Sequence, residues 1–413
     1  MPQLVNPMAP TLSGRLSPRA SEQVLQLRRA GGLSPFATRD EQVLRRNPDH
    51  DGASVLRPAF VRDCEKVLHT PAYNRLNGKT QVFSFRPDDD ICRRGLHEQM
   101  VGRVARDIGR ALGLNLDLIE AIALGHDVGH TPFGHAGERF LNGIYHQCTG
   151  RWFFHNVQSV RVLDVLYGRN LSLQALDGII CHNGEFEQQT FETSGLSGFE
   201  EFDRIVDGCW ERGDLAIGKL RPMTLEGCVV RVSDMIAYVG KDRQDALRAH
   251  LVDADGFDDG LGGAYNAWAL SAFAADVVEN SLGKPRVEMS EEGFAELRRA
   301  KRENYQKIYA ASEVNGDFAQ GVEELFGLLY EHELGALRAG REESAIFAQH
   351  IRPLERHLSH YGRTHDFEAD PDQTVCDFIS AMTDDYFIAS CEALFPEARR
   401  LFPQRSYFDG VRA

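Results

Sequence analysis

Leu116-Asp-Leu-Ile-Glu-Ala-Ile-Ala-Leu-Gly125-His126-Asp127-Val-Gly129-His130-Thr-Pro132-Phe-Gly-His135-Ala-Gly-Glu138 reads as helix, bend and helix. Leu118, Ile119, Ile122 and Ala123 give the first helix, expected over residues 116–127, its apolar face. Gly129 and Pro132 stop it just past the His-Asp pair. A second helix is expected from about residue 135, carrying Phe140, Leu141 and Ile144. Three of the chain's fifteen histidines fall in this one bend, beside Asp127 and Glu138. Buried imidazole must be hydrogen-bonded or ligated, so packing alone does not call for this density. It points to a metal-centred hydrolytic site.

The same helical period continues outward. Leu96, Met100, Val104, Ile108 and Leu112 step by four, with Arg103, Arg106 and Arg110 elsewhere on that helix. Leu225, Cys228, Val229, Val232, Ile236 and Val239 recur at threes and fours, and alternating strand patterns are scarce. The expected fold class is all-α. Residues 1–50 read as an irregular arm with one short helix around residues 22–29, and residues 51–250 as the helical core that carries the site. Residues 251–413 read as a further helical region that completes the site or forms an oligomer interface, with helical patterns around 291–309, 318–331 and 374–395. The acidic segment 253–260 lacks the ligand alternation of a calcium loop and reads as a solvated turn.

A chain of 413 residues can bury a substantial core. With 61 acidic residues against 46 basic ones, its surface repels phosphate backbones on average, so nucleic acid is not expected as a main partner. Cys64, Cys92, Cys148, Cys181, Cys209, Cys228, Cys376 and Cys391 form no CxxC pair, and no secretory signal precedes them, which fits reduced thiols in a cytoplasm. No apolar run reaches the length of a membrane span.

His126 and Asp127 need further ligands from elsewhere in the chain. His97, at the start of a helix, and Asp234, within one, would complete two imidazoles and two carboxylates. Taken alone, His97 reads as an exposed or capping histidine; within the whole pattern it reads as a ligand. The mixed donor set suits one divalent cation: Mn, Mg, Fe, Co, Ni or Zn. A relationship to the HExxH zinc helix is disfavoured, because Asp127 replaces the glutamate base and Gly129 with Pro132 breaks the helix between the histidines. His135 and Glu138, three apart, share a helix face where the carboxylate can orient the imidazole as a general acid. Asp234, Tyr238 and Asp242 form one polar stripe.

These blocks together resemble the HD phosphohydrolase superfamily and, within it, the deoxynucleoside triphosphate triphosphohydrolases of the dGTPase-like family. The resemblance covers residues 57–245 and Asp377-Phe-Ile-Ser-Ala-Met-Thr-Asp384. Its further blocks are Tyr73-Asn-Arg-Leu-Asn-Gly-Lys-Thr-Gln-Val-Phe83, Arg94-Gly-Leu-His97, Phe154-His-Asn-Val-Gln-Ser-Val-Arg161 and Ser233-Asp-Met-Ile-Ala-Tyr238. It implies an HD-domain helical core with His97, His126, Asp127 and Asp234 as metal ligands and His135 with Glu138 as the catalytic pair. It also implies His130 and His155 along the triphosphate, Arg94 on phosphate, Tyr238 and Asp242 near the deoxyribose, Gln81 and Val82 beside sugar and base, and Asn156 as a further substrate-binding residue.

The implied reaction is attack of activated water on the α-phosphorus of a dNTP, dGTP or a broader set, giving deoxynucleoside and inorganic triphosphate. His135 protonates the departing 5′ oxygen or, in a second assignment, acts as base or nucleophile. A homo-oligomer with a nucleotide effector between subunits is a further implication. Two departures from the family pattern are Lys241 before Asp242, where histidine is frequent, and Gly125 before His126, where alanine is usual. Other HD phosphohydrolase substrates (a nucleotide monophosphate, a cyclic or a signalling nucleotide) and a non-catalytic nucleotide-binding role are the alternatives.

Overall fold

Residues 15–86, 88–183, 188–252, 257, 266–310, 318–403 and 406 are described by a computed structural model. Among them are seventeen α-helices and one antiparallel pair of three-residue strands, β1 (Thr190–Glu192) and β2 (Arg286–Glu288), so the fold is all-α as expected. The first helix, α1 (Pro18–Ala30), extends beyond the expected residues 22–29, with the Ser17 hydroxyl capping one end and left-handed Gly31 closing the other. The core then runs through α2 (Ala59–Leu68), α3 (Pro71–Arg75), α4 (Arg94–Leu112), α5 (Leu116–Gly125) and α6 (Gly134–Thr149). It continues with α7 (His155–Val160), α8 (Leu173–Ile180), α9 (Phe199–Arg212), α10 (Asp214–Ile217) and α11 (Leu225–Arg248).

Beyond residue 251 come α12 (Asn266–Ser281), α13 (Glu291–Asn304), α14 (Ala319–Arg338), α15 (Arg352–His360), α16 (Pro371–Ser380) and α17 (Asp384–Leu394). The turn expected at residues 253–260 lies outside the described residues apart from Phe257. The single helical pattern expected over 374–395 is two helices. The second begins where the Thr383 hydroxyl accepts the Tyr386 N–H, an N-cap that a pattern of apolar spacing does not reveal.

Side-chain caps fix where the central helices begin: Asn115 accepts the Asp117 and Leu118 amides of α5, Ser172 that of Ala175 in α8, and Thr224 that of Gly227 in α11. Helices α4, α5 and α11 pack against one another, with α2 and α8 on α5 and with α12 across α4 and α11. Val101, Ile119, Ile122, Val229, Val232 and Ile236 of this centre are fully buried. Each contributes about 1.5–3 kcal/mol by leaving water. Helices α14 and α16 pack on α6, and Asp377 of α16 receives a two-pronged ion pair from Arg161, with Nε 2.8 Å from Oδ1 and Nη2 2.7 Å from Oδ2.

The bend between α5 and α6 is where this packing matters for function. Helix α5 stops at Gly125, two residues before the expected end, and His126 forms its cap. A side chain at Gly129 would place its Cβ 2.2 Å from the Ser159 amide nitrogen, so only glycine allows the bend to lie directly on α7. Phe133, at φ 60°, is a left-handed residue with a side chain. Its amide donates to Asp384 Oδ1 at 3.0 Å and its ring stacks on Phe85, with centroids 5.0 Å apart, so the surrounding structure holds the strained conformation.

Candidate active site

His97, on the first turn of α4, and Asp234, midway along α11, meet across the helix crossing, with Nε2 and Oδ1 3.0 Å apart. Just past α5, His126 Nε2 lies 3.9 Å from that same Asp234 oxygen and 3.7 Å from Asp127 Oδ2. The four residues that the sequence pattern singles out as ligands are thus brought together and largely removed from water. His126 Nδ1 sits 2.7 Å from the Ala123 carbonyl and 2.8 Å from Glu98 Oε2, so it carries the ring proton. Nε2 is then a bare lone pair, completely buried and without a hydrogen-bond partner. An orphaned donor atom surrounded by carboxylates is costly unless a cation occupies the space between them, so these residues fit a divalent metal.

The surrounding carboxylates favour positive charge at this spot, which a second proton on His126 or a divalent cation can supply. Burial works against the His126 charge, but Glu98 and Asp127 overcome it and push the imidazole up to about 10. Burial pushes Glu98 up to about 7 even beside His126. Asp127 is also opposed by burial, yet Arg94 and His126 hold its carboxyl well below the usual range. Arg94, 2% exposed, donates from Nη1 to Asp127 Oδ2, and its Nη2 reaches the Gln81 carbonyl at 3.5 Å.

The second half of the site is built on the start of α6. Glu138 Oε2 lies 3.2 Å from His135 Nδ1, while Oε1 accepts both the His155 amide, at 2.7 Å, and His155 Nδ1, at 2.8 Å. One carboxylate therefore orients two imidazoles. Burial opposes its charge, but His155 and His135 hold it well below the ordinary carboxylate range. The His135 side chain is 58% exposed, in contrast to the buried cluster behind it. His130 stacks on His155 with centroids 4.5 Å apart, and both of its ring nitrogens are buried and unpartnered. Burial, then Arg94 and His155, keeps His130 neutral by lowering it well below the usual histidine range.

The remaining candidates are placed further out. Tyr238 is half-buried one turn beyond Asp234. Asp242 is buried, accepts the Tyr309 hydroxyl at 2.6 Å, and is pushed up to about 7 by burial. Lys241 pairs with Asp245 of the next turn. Gln81 is half-buried with its Oε1 unpartnered, and Val82 packs on the small cluster of Phe83, Ile91 and Ala246. Asn156 is fully buried and donates to the Ile180 carbonyl at 2.6 Å. Gly125 admits Ile179 so closely that a Cβ would lie 2.5 Å from its Cδ1.

Two residues absent from the sequence expectations belong to this cluster. Glu98 touches His126, and His182, at the end of α8, lies 3.5 Å from Asp127 Oδ1. His182 repeats the His126 device: its Nδ1 meets the Ile179 carbonyl three residues back at 2.6 Å. A histidine just past the apolar Ile179-Ile180-Cys181 end of α8 is the signal that marks it.

Residues 94–238 match the HD domain family. Over most of its length the chain is similar to proteins described as deoxyguanosinetriphosphate triphosphohydrolase-like. One from Caldanaerobacter subterraneus subsp. tengcongensis is 32% identical over 373 residues, 88% of this chain and 92% of the relative. Another from Desulfatibacillum aliphaticivorans is 31% identical over 379 residues, 88% of this chain and 94% of the relative. A third from Azorhizobium caulinodans reaches 40% over 218 residues, 50% of this chain and 52% of the relative. Fold, site and match together define an HD-domain protein. The chain belongs to the deoxyguanosinetriphosphate triphosphohydrolase-like family.

Proposed function

We propose that this protein is a metal-dependent hydrolase of deoxynucleoside triphosphates, dGTP or a broader set, that releases the deoxynucleoside and intact inorganic triphosphate. The observation that carries the reading is the placement of the His135–Glu138 pair beside a buried cluster with a metal-ligand donor set, with the His130 ring between them 5.1 Å from His135 and 4.5 Å from His155. His97, His126, Asp127 and Asp234 would hold a divalent cation, which would supply Lewis acidity there and lower the pKa of water.

The protein's own side chains carry out the rest. Arg94 and neutral His130 meet the phosphate oxygens, one as a charge and one as a hydrogen-bond partner. Glu138 accepts a hydrogen bond from the Nδ1–H of His135 and stabilises the imidazolium, whose Nε2–H is the proton delivered to the departing 5′ oxygen. Exposure of His135 places that delivery at the mouth of the site. Asp242 and Tyr238 receive the deoxyribose, Gln81 and Val82 the sugar and base, and His155 forms the wall along the triphosphate, with Asn156 next to it in α7.

A cytoplasmic setting and a homo-oligomer with a nucleotide effector belong to the same proposal. Eight unbridged cysteines support the first, and among the described residues no helix is long and apolar enough to cross a membrane. The testing experiment is a dNTP panel with metal-loaded protein, the phosphate product being identified. Inorganic triphosphate supports the reading. Orthophosphate or pyrophosphate alone moves it to another nucleotide hydrolase, and no turnover of any nucleotide moves it to a binding protein.

A further inference from the structure

A small cavity backs onto the bend between α5 and α6, with room for about one water-sized body. Val128 of the bend, Leu166 and Leu354 give it apolar walls, and Arg75, Lys79 and His350 bring nitrogen donors to it. Among the described residues no carboxylate lines it. Asp384 and Asp377, whose charges reach Lys79 and His350, are engaged elsewhere, the first by the Thr80 and Phe133 amides and the second by Arg161. Lys79 is 1% exposed and gives two of its three N–H donors to the Ser380 and His130 carbonyls. Arg75, at the end of α3, is half-buried and makes no hydrogen bond or ion pair among the described residues. His350 is 4% exposed on a π-helical turn (Phe347–Ile351), an irregularity frequent at functional positions, and its Nε2 is buried without a partner. Burial outweighs Asp377 and lowers His350 to about 4, so the ring is neutral and one nitrogen donates. Two cations and a neutral donor thus face an apolar-walled space without a counter-ion, and burying charge in that way is costly.

We propose that this cavity binds chloride or a monovalent anion of similar size, held by Lys79, Arg75 and His350. One water satisfies a donor but leaves both positive charges uncompensated. The limited room excludes phosphate and nucleotides. Apolar walls favour a large, weakly hydrated ion over fluoride. Burial, then Arg75, lowers Lys79 to about 7, and an anion between the two cations favours the charged lysine. Through Lys79, which also holds the His130 carbonyl, the ion would tie α3 and His350 to the back of the bend. The inference is independent of the metal and of the reaction proposed above.

The test uses the full, metal-loaded chain at pH 6, where Lys79 is charged, with sodium gluconate replaced stepwise by sodium chloride or bromide at constant ionic strength. The wild-type melting temperature is expected to rise saturably relative to those of Arg75→Gln and His350→Phe, by about 1–2 °C at ten times the dissociation constant. General salt effects act on all three proteins alike. Crystals grown in bromide are expected to show an anomalous peak between Lys79, Arg75 and His350. Water in the cavity with no bromide peak overturns the inference. A peak without the saturable shift is an adventitious ion only and overturns it too. An equal shift in both variants also overturns it, because the ion is then held elsewhere. If a variant does not fold, the bromide peak and the wild-type shift decide alone.

Discussion

His97 Nε2 and Asp234 Oδ1 lie 3.0 Å apart, a contact that joins α4 to α11 across 137 residues of chain. Neither side chain has a role without the other: each is a lone donor on its own helix, and the crossing makes them neighbours. Asp234→Ala is expected to lose bound metal and activity together. The loss of several kcal/mol of Lewis-acid stabilisation corresponds to a fall on the order of 10³-fold or more in kcat/KM. Metal analysis beside steady-state kinetics checks it, and full metal content at full rate would show that Asp234 is no ligand.

His135 stands outside the donor cluster, so its removal separates chemistry from metal binding. His135→Ala keeps its metal and loses about 10²–10⁴-fold in kcat, the usual contribution of a positioned general acid. An unchanged rate would remove His135 from the mechanism.

The helices of the core were legible because their apolar residues repeat at threes and fours, and the His-Asp pair was legible because glycine and proline mark the bend after it. Glu98 was not. It follows His97 directly in a helix that also carries several arginines, and only the packing of α4 against α5 brings it to His126. His182 was missed for the opposite reason: it stands alone in its segment, and its meaning comes from Asp127 and His155, which are remote in sequence. Asp242 illustrates a third limit, since the polar stripe of α11 was visible but Tyr309, which holds its carboxylate, lies 67 residues away.

Lys79 gives the fold a pH signature. It is 1% exposed, with Nζ donating to the Ser380 carbonyl at 2.6 Å and to that of His130, and burial lowers it from 10.5 to about 7. Between those pH values the unfolded chain binds a proton that the folded chain does not, so this group makes stability rise with pH across the window, by up to about 1.4 kcal/mol per unit. Denaturant titrations at pH 7 to 10 should show wild-type stability gaining relative to Lys79→Met as pH increases. A difference between the two proteins that stays constant with pH would contradict the assignment.

Asp384 carries the influence of the C-terminal helices to the site. Its carboxylate accepts the Thr80 and Phe133 amides, each at 3.0 Å, and so fixes the left-handed residue that aims α6. Asp384→Ala removes the acceptor of these two amides and of the Thr80 hydroxyl, and is expected to cost about 1–3 kcal/mol for each group stranded. Turnover should fall with unchanged metal content, because His135 and Glu138 move while the ligands stay. Wild-type stability and rate in this variant would mean that the bend holds itself.

The most direct measurement is phosphorus NMR of a dGTP reaction with the metal-loaded protein, following the phosphate products in time. Attack at the α-phosphorus with departure of the 5′ oxygen predicts that inorganic triphosphate appears from the first turnover as dGTP disappears, in an amount equal to the deoxyguanosine measured by chromatography. Pyrophosphate with dGMP, or orthophosphate with dGDP, would place the cleaved bond elsewhere and contradict the proposed function.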